Sequence, residues 1–337
     1  MKRLFLILAM AALALGAFVA WYGYTLVTGG VTAFRQDEKV VFIPSPLPID
    51  SLAMQLASDS VITSSTHFAR VASWKKFTKA KPGRYVFKQG MSHNSIINKL
   101  RSGDQDPVQV SFNSTRTIEE LASRVGAQIA ADSADLVFLL KNPNTAEEYG
   151  FTEASFKSMF IPNTYEFWWD TDAVEFLNRM KKEYDTFWNQ ERRDLAAELE
   201  LSINEVTTLA SIVHAETAKR DEAPKVAGLY LNRLRIGMAL QADPTLIYAH
   251  QDFSIRRVLN VHKEIDSPYN TYKYPGLPPG PINFPDPNYI DAVLKAEKHA
   301  YIFMCAKADF SGYHNFARTL DQHNVYAREY QQSLNNQ

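Results

Sequence analysis

Cysteine is nearly absent from this chain of 337 residues, which contains Cys305 alone. A single thiol can form neither an internal disulfide nor a cysteine-based metal cluster. Excess charge is absent as well, because 36 Lys and Arg residues balance 37 Asp and Glu residues, for a formal net charge of -1. A near-neutral chain has no general electrostatic attraction for nucleic acid, so we exclude that class of partner.

Several catalytic signatures are also missing. The sequence contains no HExxH metalloprotease motif, no GxSxG nucleophile elbow, no phosphate-binding loop and no dinucleotide-binding fingerprint. His214-Ala215-Glu216 resembles the histidine and glutamate of zinc deaminases, but the two cysteine ligands of those enzymes are absent. We therefore expect no metal and no cofactor.

The N-terminus combines a basic end with a long apolar run. Lys2 and Arg3 precede an apolar segment at 4–20, and an aromatic group at 21–24 closes it. This pattern predicts a transmembrane signal anchor over 1–25, with its basic end in the cytoplasm and the rest of the chain outside it. A cleaved signal peptide is the alternative, since Ala12-Leu13-Ala14 is typical of a cleavage site.

The remaining 312 or so residues are long enough for two or three α+β domains. Short mixed elements over 38–112 predict a small α+β module that binds or positions something, or serves as a spacer. The segment 113–199 is helical in pattern and carries an aromatic motif with Tyr165, Phe167, Trp168 and Trp169. Such a cluster belongs to a core or, if exposed, stacks against sugar rings.

A helix with an unusual carboxylate follows. Ser202 and Glu205 have capping-box spacing, which predicts a helix from about residue 203. Its apolar stripe faces a core and comprises Val206, Leu209, Ala210, Val213 and Thr217. Glu216 lies on the flank of that stripe near the negative end of the helix dipole, and both burial and the dipole favour a raised pKa. It is therefore either a general acid or a helix-end partner of Lys219 or Arg220. His214 lies two residues before Glu216 on the helix and points in another direction. We therefore interpret it as a surface or interfacial histidine without a catalytic role.

Downstream of Glu216 the sequence predicts a second helix and then polar loops. The helix covers about 221–236, with Pro224 in its first turn and Gly237 at its end. Gln241 and Asp243 follow in a segment expected to be extended. Two later stretches, 267–272 and 276–281, are rich in proline, glycine, hydroxyl, amide and aromatic groups, so they are loops that either rim a carbohydrate-sized cleft or connect elements.

These segments resemble, in order, the motifs of the endolytic murein transglycosylases of the YceG-like family. The matching motifs are Ala210–Thr217 (ASIVHAET), Asn232–Met238, Leu240–Thr245 (LQADPT), Ser267–Tyr272 (SPYNTY) and Gly276–Ile282 (GLPPGPI), and the likeness extends to Phe160–Tyr165, to His314-Asn315-Phe316 and in outline to Lys81–Tyr85. Two positions depart from the pattern: His214 stands where a first glutamate is common, and Asn163 where an aspartate is usual.

The resemblance implies an α+β protein with a single inner-membrane helix, a LysM-like module over 38–112, a helical connecting region over 113–199 and a catalytic domain over 200–333, on the periplasmic side. It implies Glu216 as the catalytic residue. The residues predicted to contact substrate are Gln241, Asp243, Tyr269, Asn270, Tyr272, His314, Phe316 and Tyr165. The implied partners are peptidoglycan glycan strands and the membrane, with peptidoglycan synthases as neighbours.

The implied reaction cleaves the bond between N-acetylmuramic acid and N-acetylglucosamine and leaves a 1,6-anhydromuramyl end. Three alternatives remain open. A hydrolase would need a second carboxylate, for which Asp243 is the nearby candidate. The chain could instead be a peptidoglycan-binding protein without catalysis, or an assembly factor that recruits the wall-synthesis machinery.

Overall fold

The computed structural model describes residues 2–113 and 115–335. An apolar helix, α1 (Lys2–Thr28), opens the chain with 27 residues, which is about 40 Å at about 1.5 Å per residue. Nearly all its side chains up to Tyr24 are exposed. The helix is long and apolar enough to cross a membrane, and the same properties fit a signal sequence.

The chain divides into two compact units. The first holds the residues up to Val110 together with Gln128–Ala130 and Glu166–Thr171. Besides α1 its helices are α2 (Ile49–Ser58), α3 (Ser65–Trp74) and α4 (His93–Ser102). Two antiparallel pairs accompany them: β1 (Glu38–Ile43) with β4 (Gly83–Lys88), and β2 (Leu47–Pro48) with β3 (Lys79–Ala80).

Local signals account for these elements. Ser92 accepts a hydrogen bond from the backbone N–H of Ser95 and begins α4, and Gly103 ends it with a φ of 75°. Tyr85 and Phe87 on β4 are fully buried, as the alternation of a half-buried strand requires. The end of α1 joins this core, because Leu26 is buried and its carbonyl lies 2.8 Å from Nδ1 of the buried His93.

The second unit holds Ser111–Ala127, Ala131–Tyr165 and the residues from Asp172 onward. The division between the units passes through the paired strands β5 (Val108–Phe112) and β6 (Asn163–Phe167), whereas β7 (Phe303–Ala306) and its antiparallel partner β8 (His314–Ala317) lie wholly in the second unit. The helices are α5 (Ile118–Gly126), α6 (Ser133–Lys141), α7 (Pro143–Glu148), α8 (Ala173–Phe187), α9 (Gln190–Glu198), α10 (Ile203–Glu216), α11 (Ala223–Arg235), α12 (Asp243–His250), α13 (Pro287–Leu294) and α14 (Leu320–Asn335). Phe156–Met159 and Asn260–Glu264 are short 3₁₀ helices. The predicted α+β class is confirmed.

The central residues of helix α10 are enclosed on every side. The predicted capping box is present, since Ser202 N–H donates to Glu205 Oε2 at 2.8 Å and Glu205 N–H donates to Ser202 Oγ at 3.2 Å. The prediction of a single buried stripe was wrong, because every residue from Val206 to Val213 is buried. The 276–284 segment covers the other face: Ile282 N–H donates to Ser211 Oγ at 3.0 Å, and the Asn283 amide donates to the Ser211 carbonyl at 2.9 Å.

One further correction concerns the segment that follows Gly237. It was expected to be extended around Pro244, but Asp243 begins the helix α12 with Pro244 in its first turn. Proline suits that position because the first turn needs no N–H donor. The Thr245 hydroxyl donates to the Ala242 carbonyl at 2.7 Å and fixes the turn.

Gly228 of α11 lies close to the backbone of Glu297, so a substitution at Gly228 tests how tightly this helix packs. A Cβ at Gly228 would lie 2.2 Å from the Glu297 carbonyl oxygen. Helix propensity alone would make Gly228→Ala stabilising by about 1 kcal/mol, but overpacking costs about 1–3 kcal/mol. We therefore expect a lower melting temperature in circular dichroism. The control Arg235→Ala, on an exposed position of the same helix, should change stability by less than about 0.5 kcal/mol. A more stable Gly228→Ala protein would contradict the packing.

Candidate active site

Glu216 ends α10, and a tyrosine of α11 contacts it. The Tyr230 hydroxyl donates a hydrogen bond to Glu216 Oε1 at 2.9 Å. Tyr230 itself is buried, so the hydroxyl that it presents to the carboxyl group is fixed in position. Tyr230 is one of the buried residues of α11, and its hydroxyl adds this polar contact.

Burial raises the pKa of Glu216 to about 7. The Tyr230 hydrogen bond opposes this shift because it stabilises the carboxylate, the negative charge of Asp243 adds to it, and the positive charge of Arg233 opposes it. A carboxyl group with this pKa is present in both protonation states near neutral pH. It can donate a proton and later accept one.

Glu216 lines a cavity of about 190 Å³. Two apolar residues, Leu229 and Met304, line the cavity. The other lining residues are polar, namely Glu216, Tyr230, Arg233, Gln241, Asp243 and Tyr272. The cavity therefore brings together four residues that the sequence singled out: Glu216, Gln241, Asp243 and Tyr272.

A second carboxylate in this cavity is held by a tyrosine. The Tyr272 hydroxyl donates to Asp243 Oδ1 at 2.5 Å. The backbone beneath this pair is tied together at Thr271, whose carbonyl accepts from Gln241 N–H at 3.0 Å and whose hydroxyl accepts from Ala242 N–H at 3.0 Å. Gln241 has a φ of 51°, a conformation that few non-glycine residues adopt. These contacts fix the positions of Gln241 and Asp243 relative to Tyr272.

Arg233 was missed as a candidate site residue. It is buried, and its guanidinium donates to the Ile302 carbonyl at 2.6 Å and to the Leu240 carbonyl at 2.5 Å. It thus connects α11 to the segment before Gln241 while it lines the cavity with Glu216. The signal available in the sequence was a charged residue three positions after Tyr230, on the same side of the helix.

Asn270 lies outside the cavity, contrary to its expected place beside a substrate. Its side chain is fully buried. The amide donates to the carbonyls of Lys263 and Ile265 at 2.8 Å each, and its oxygen accepts from the backbone N–H groups of Tyr272 and Lys273. In this conformation Asn270 shapes the loop that carries Tyr272.

The structure likewise buries Tyr165, whose hydroxyl donates to the Ile161 carbonyl at 2.5 Å. Phe167 is buried too, and Trp168 is exposed. Tyr165 therefore has no surface to stack on a sugar, and the core interpretation of this residue fits the structure. Tyr269 is half-buried with its ring 4.7 Å from that of Tyr248.

His314 and Phe316 lie on β8, and Phe316 pairs with the cavity-lining residue Met304 of β7. His314 contacts Glu222 twice, with Nδ1 2.8 Å from Oε2 and its N–H donating to Oε1 at 2.7 Å. Glu222 also accepts from the Thr217 hydroxyl at 3.2 Å. Through this chain of contacts β8 is connected to the residue that follows Glu216.

His214 packs against a neighbouring helix. Its ring stacks on Tyr289 with 4.1 Å between centroids, and Nδ1 accepts from Asp286 N–H at 3.3 Å. Burial lowers the pKa of His214, so it is neutral near pH 7. These contacts agree with the structural interpretation of this histidine.

The cavity thus defines a general acid–base site built on one carboxyl group with a second carboxylate nearby. Comparison with known proteins is consistent with this class. The sequence profile of the YceG-like family matches residues 41–329, and the chain belongs to that family. It is 30% identical over 342 residues to the endolytic murein transglycosylase of Bacillus subtilis strain 168, covering 95% of this chain and 91% of that protein.

Two more distant matches have names of the same kind. The endolytic murein transglycosylase of Streptococcus pneumoniae strain D39 is 24% identical over 337 residues, and the match covers 90% of this chain but 61% of that longer protein. The crystal structure of a yceG-like protein from Listeria monocytogenes superposes with a TM-score of 0.58 at 26% identity, covering 86% of this chain and 99% of that one.

The raised pKa of Glu216 has a consequence for stability. An unfolded glutamate has a pKa near 4.5 and the folded one about 7, so ionisation destabilises the fold progressively as pH rises from about 4.5 to 7. Glu216→Gln removes this cost. We expect the variant to be more stable than the wild type at pH 8 by about 1–3 kcal/mol and to differ less at pH 5, in thermal unfolding of the detergent-solubilised protein. An equal difference at both pH values would contradict the shift.

Proposed function

We propose that this protein is a peptidoglycan lytic transglycosylase that cleaves glycan strands endolytically. The observation that carries the proposal is the Glu216 carboxyl group, with a pKa of about 7, in a cavity lined by hydroxyl, amide and carboxylate groups. Membership of a family whose relatives are named endolytic murein transglycosylases supports it.

In the first step the protonated Glu216 donates its proton to the glycosidic oxygen between N-acetylmuramic acid and N-acetylglucosamine. The bond from the muramyl C1 to that oxygen breaks, and the leaving sugar departs with a new hydroxyl. Positive charge develops on the muramyl ring. Asp243, oriented by the Tyr272 hydroxyl, is positioned to stabilise that charge electrostatically.

In the second step the Glu216 carboxylate accepts the proton of the muramyl 6-hydroxyl. The oxygen of that hydroxyl attacks C1 and closes the 1,6-anhydro ring, so no water is consumed. Glu216 ends protonated, as it began. The Tyr230 hydrogen bond stabilises the intermediate carboxylate.

A hydrolase is the second candidate, because Asp243 lines the same cavity as Glu216. With two carboxylates, one can act as acid while the other acts as nucleophile or activates water. The product would then be a reducing end. We favour the transglycosylase because the relatives of this chain are named endolytic murein transglycosylases.

We propose further that α1 is an uncleaved anchor in the cytoplasmic membrane, with the rest of the chain on its outer side. The burial of Leu26 at the end of α1, with its contact to His93, supports retention of this helix. The module over 38–112 would act as a LysM-like positioning module and 200–333 as the catalytic domain, joined by 113–199. Held near the membrane, the site would cut growing strands close to the peptidoglycan synthases.

Glu216→Gln tests the catalytic assignment. The amide keeps the shape of the side chain but has no proton to donate to the leaving oxygen, so we expect at least about a hundredfold loss of cleavage rate. The assay is mass spectrometry of glycan strands incubated with the purified full-length protein, in which wild-type products should carry anhydro ends. Normal cleavage by the variant would rule out Glu216, and the absence of new ends with wild type would favour a binding or assembly role.

Asp243→Asn distinguishes the two chemistries. If Asp243 stabilises charge, the variant should cut more slowly and still leave anhydro ends, because closure of the ring by the 6-hydroxyl needs one acid–base residue. The same mass-spectrometric analysis reports the ratio of anhydro to reducing ends. Reducing ends from the wild type that vanish in Asp243→Asn would instead establish a hydrolase.

A further inference from the structure

A second and larger cavity, of about 620 Å³, lies in the same unit as the one at Glu216. Its wall includes Ala215 and Pro244, the chain neighbours of Glu216 and Asp243, so consecutive residues line the two cavities. The mechanism proposed above uses none of its side chains.

Two arginines make the wall of this cavity cationic. Arg116 and Arg256 both line it, and both are exposed. Within residues 2–113 and 115–335 neither has a carboxylate at ion-pair distance. The Arg116 guanidinium lies 5.6 Å from the centroid of the Phe253 ring, which holds it over the cavity wall. Both guanidinium groups are free to pair with an anion.

A buried lysine lies behind the same wall. Lys157 is 9% exposed, and its Nζ donates to the hydroxyl of the lining residue Tyr248 at 2.9 Å and to the Arg116 carbonyl at 3.3 Å. Burial lowers its pKa to about 8, with Glu119 and Glu120 acting from further away. Lys157 is therefore largely protonated at neutral pH, and Glu119 is itself paired with Lys141.

Two lining residues also carry unsatisfied polar atoms. Thr115 Oγ1 and Asn283 Oδ1 are buried and have no hydrogen-bond partner in the described part of the chain. Buried oxygens without partners are uncommon in folded proteins. An amide oxygen and a hydroxyl suit the N–H groups of a peptide, whereas a phosphate has no donor for the Asn283 oxygen.

We propose that this cavity binds the stem peptide of the muramyl residue being cleaved, with Arg116 and Arg256 pairing to its carboxylates. The inference rests on the proposed function and specifies its substrate as peptide-bearing strands. In peptidoglycan the stem peptide is attached through the lactyl group of the muramyl residue, beside the bond that Glu216 would protonate. Because Ala215 and Pro244 are the chain neighbours of Glu216 and Asp243, the peptide of a sugar bound at Glu216 would extend to a cavity that offers cations for carboxylates and oxygens for amides.

The decisive experiment compares glycan strands that carry stem peptides with strands from which an amidase has removed them. For the wild-type full-length protein we expect kcat/KM to be about tenfold higher on the peptide-bearing strands, the scale of a charge-assisted contact. In the double variant Arg116→Gln/Arg256→Gln this ratio should fall towards one. Arg257→Gln is the matched control, because Arg257 is exposed in the same loop and does not line the cavity.

A wild-type ratio near one, or a double variant that keeps the wild-type ratio, would overturn the proposal. So would an equal fall of the ratio in Arg257→Gln, since it would indicate a general effect of charge. The ratio, unlike the rate itself, does not change when a variant merely folds less well.

Binding to the Glu216→Gln protein makes the test independent of catalysis. The probe is a soluble disaccharide-pentapeptide, compared with the same compound after amidation of its peptide carboxylates. We expect about tenfold weaker binding of the amidated probe, and no such difference in a protein that also carries the two arginine changes. Equal affinities of the two probes would reject a peptide site. If wild type cleaved no strand at all, the proposed function would fail while this measurement still decided the peptide site.

Discussion

The burial of α10 on every side is the constraint on which the site depends. A helix whose residues from Val206 to Val213 are all buried cannot shift or rotate without disrupting its neighbours. Ser211 adds hydrogen bonds to the 276–284 segment across the face that an amphipathic helix would expose. Glu216, the last residue of this helix, is therefore held in one place, where Tyr230 meets it.

The same enclosure sets the chemistry of Glu216. Burial disfavours the charged form and raises the pKa to about 7, while the Tyr230 hydrogen bond and Arg233 limit the shift. The fold is therefore less stable above neutral pH, where the buried carboxyl group is charged, but this group can exchange a proton near pH 7. The loop anchored by Asn270 and Thr271 positions the second carboxylate of the site, because it brings the Tyr272 hydroxyl to Asp243.

Local patterns predicted the features that depend on neighbouring residues in the chain. The capping box of α10 and Pro224 in the first turn of α11 are present as expected. The same reasoning failed for α12 and for the loop residue Asn270. In both places contacts with distant residues decide the outcome: Thr271 anchors the start of α12, and the carbonyls of Lys263 and Ile265 hold Asn270 in the interior.

By itself the sequence singled out Glu216 as either a general acid or a helix-end ion-pair partner, and the resemblance of its motifs to the YceG-like family implied that Gln241, Asp243 and Tyr272 contact the substrate. The tertiary structure alone decided that Tyr230 and Arg233 line the cavity at Glu216, and that Arg116 and Arg256 line a second cavity. Charge, burial and hydrogen bonding act through space. The residues that set the pKa of Glu216 come from different elements, and no local pattern relates their positions.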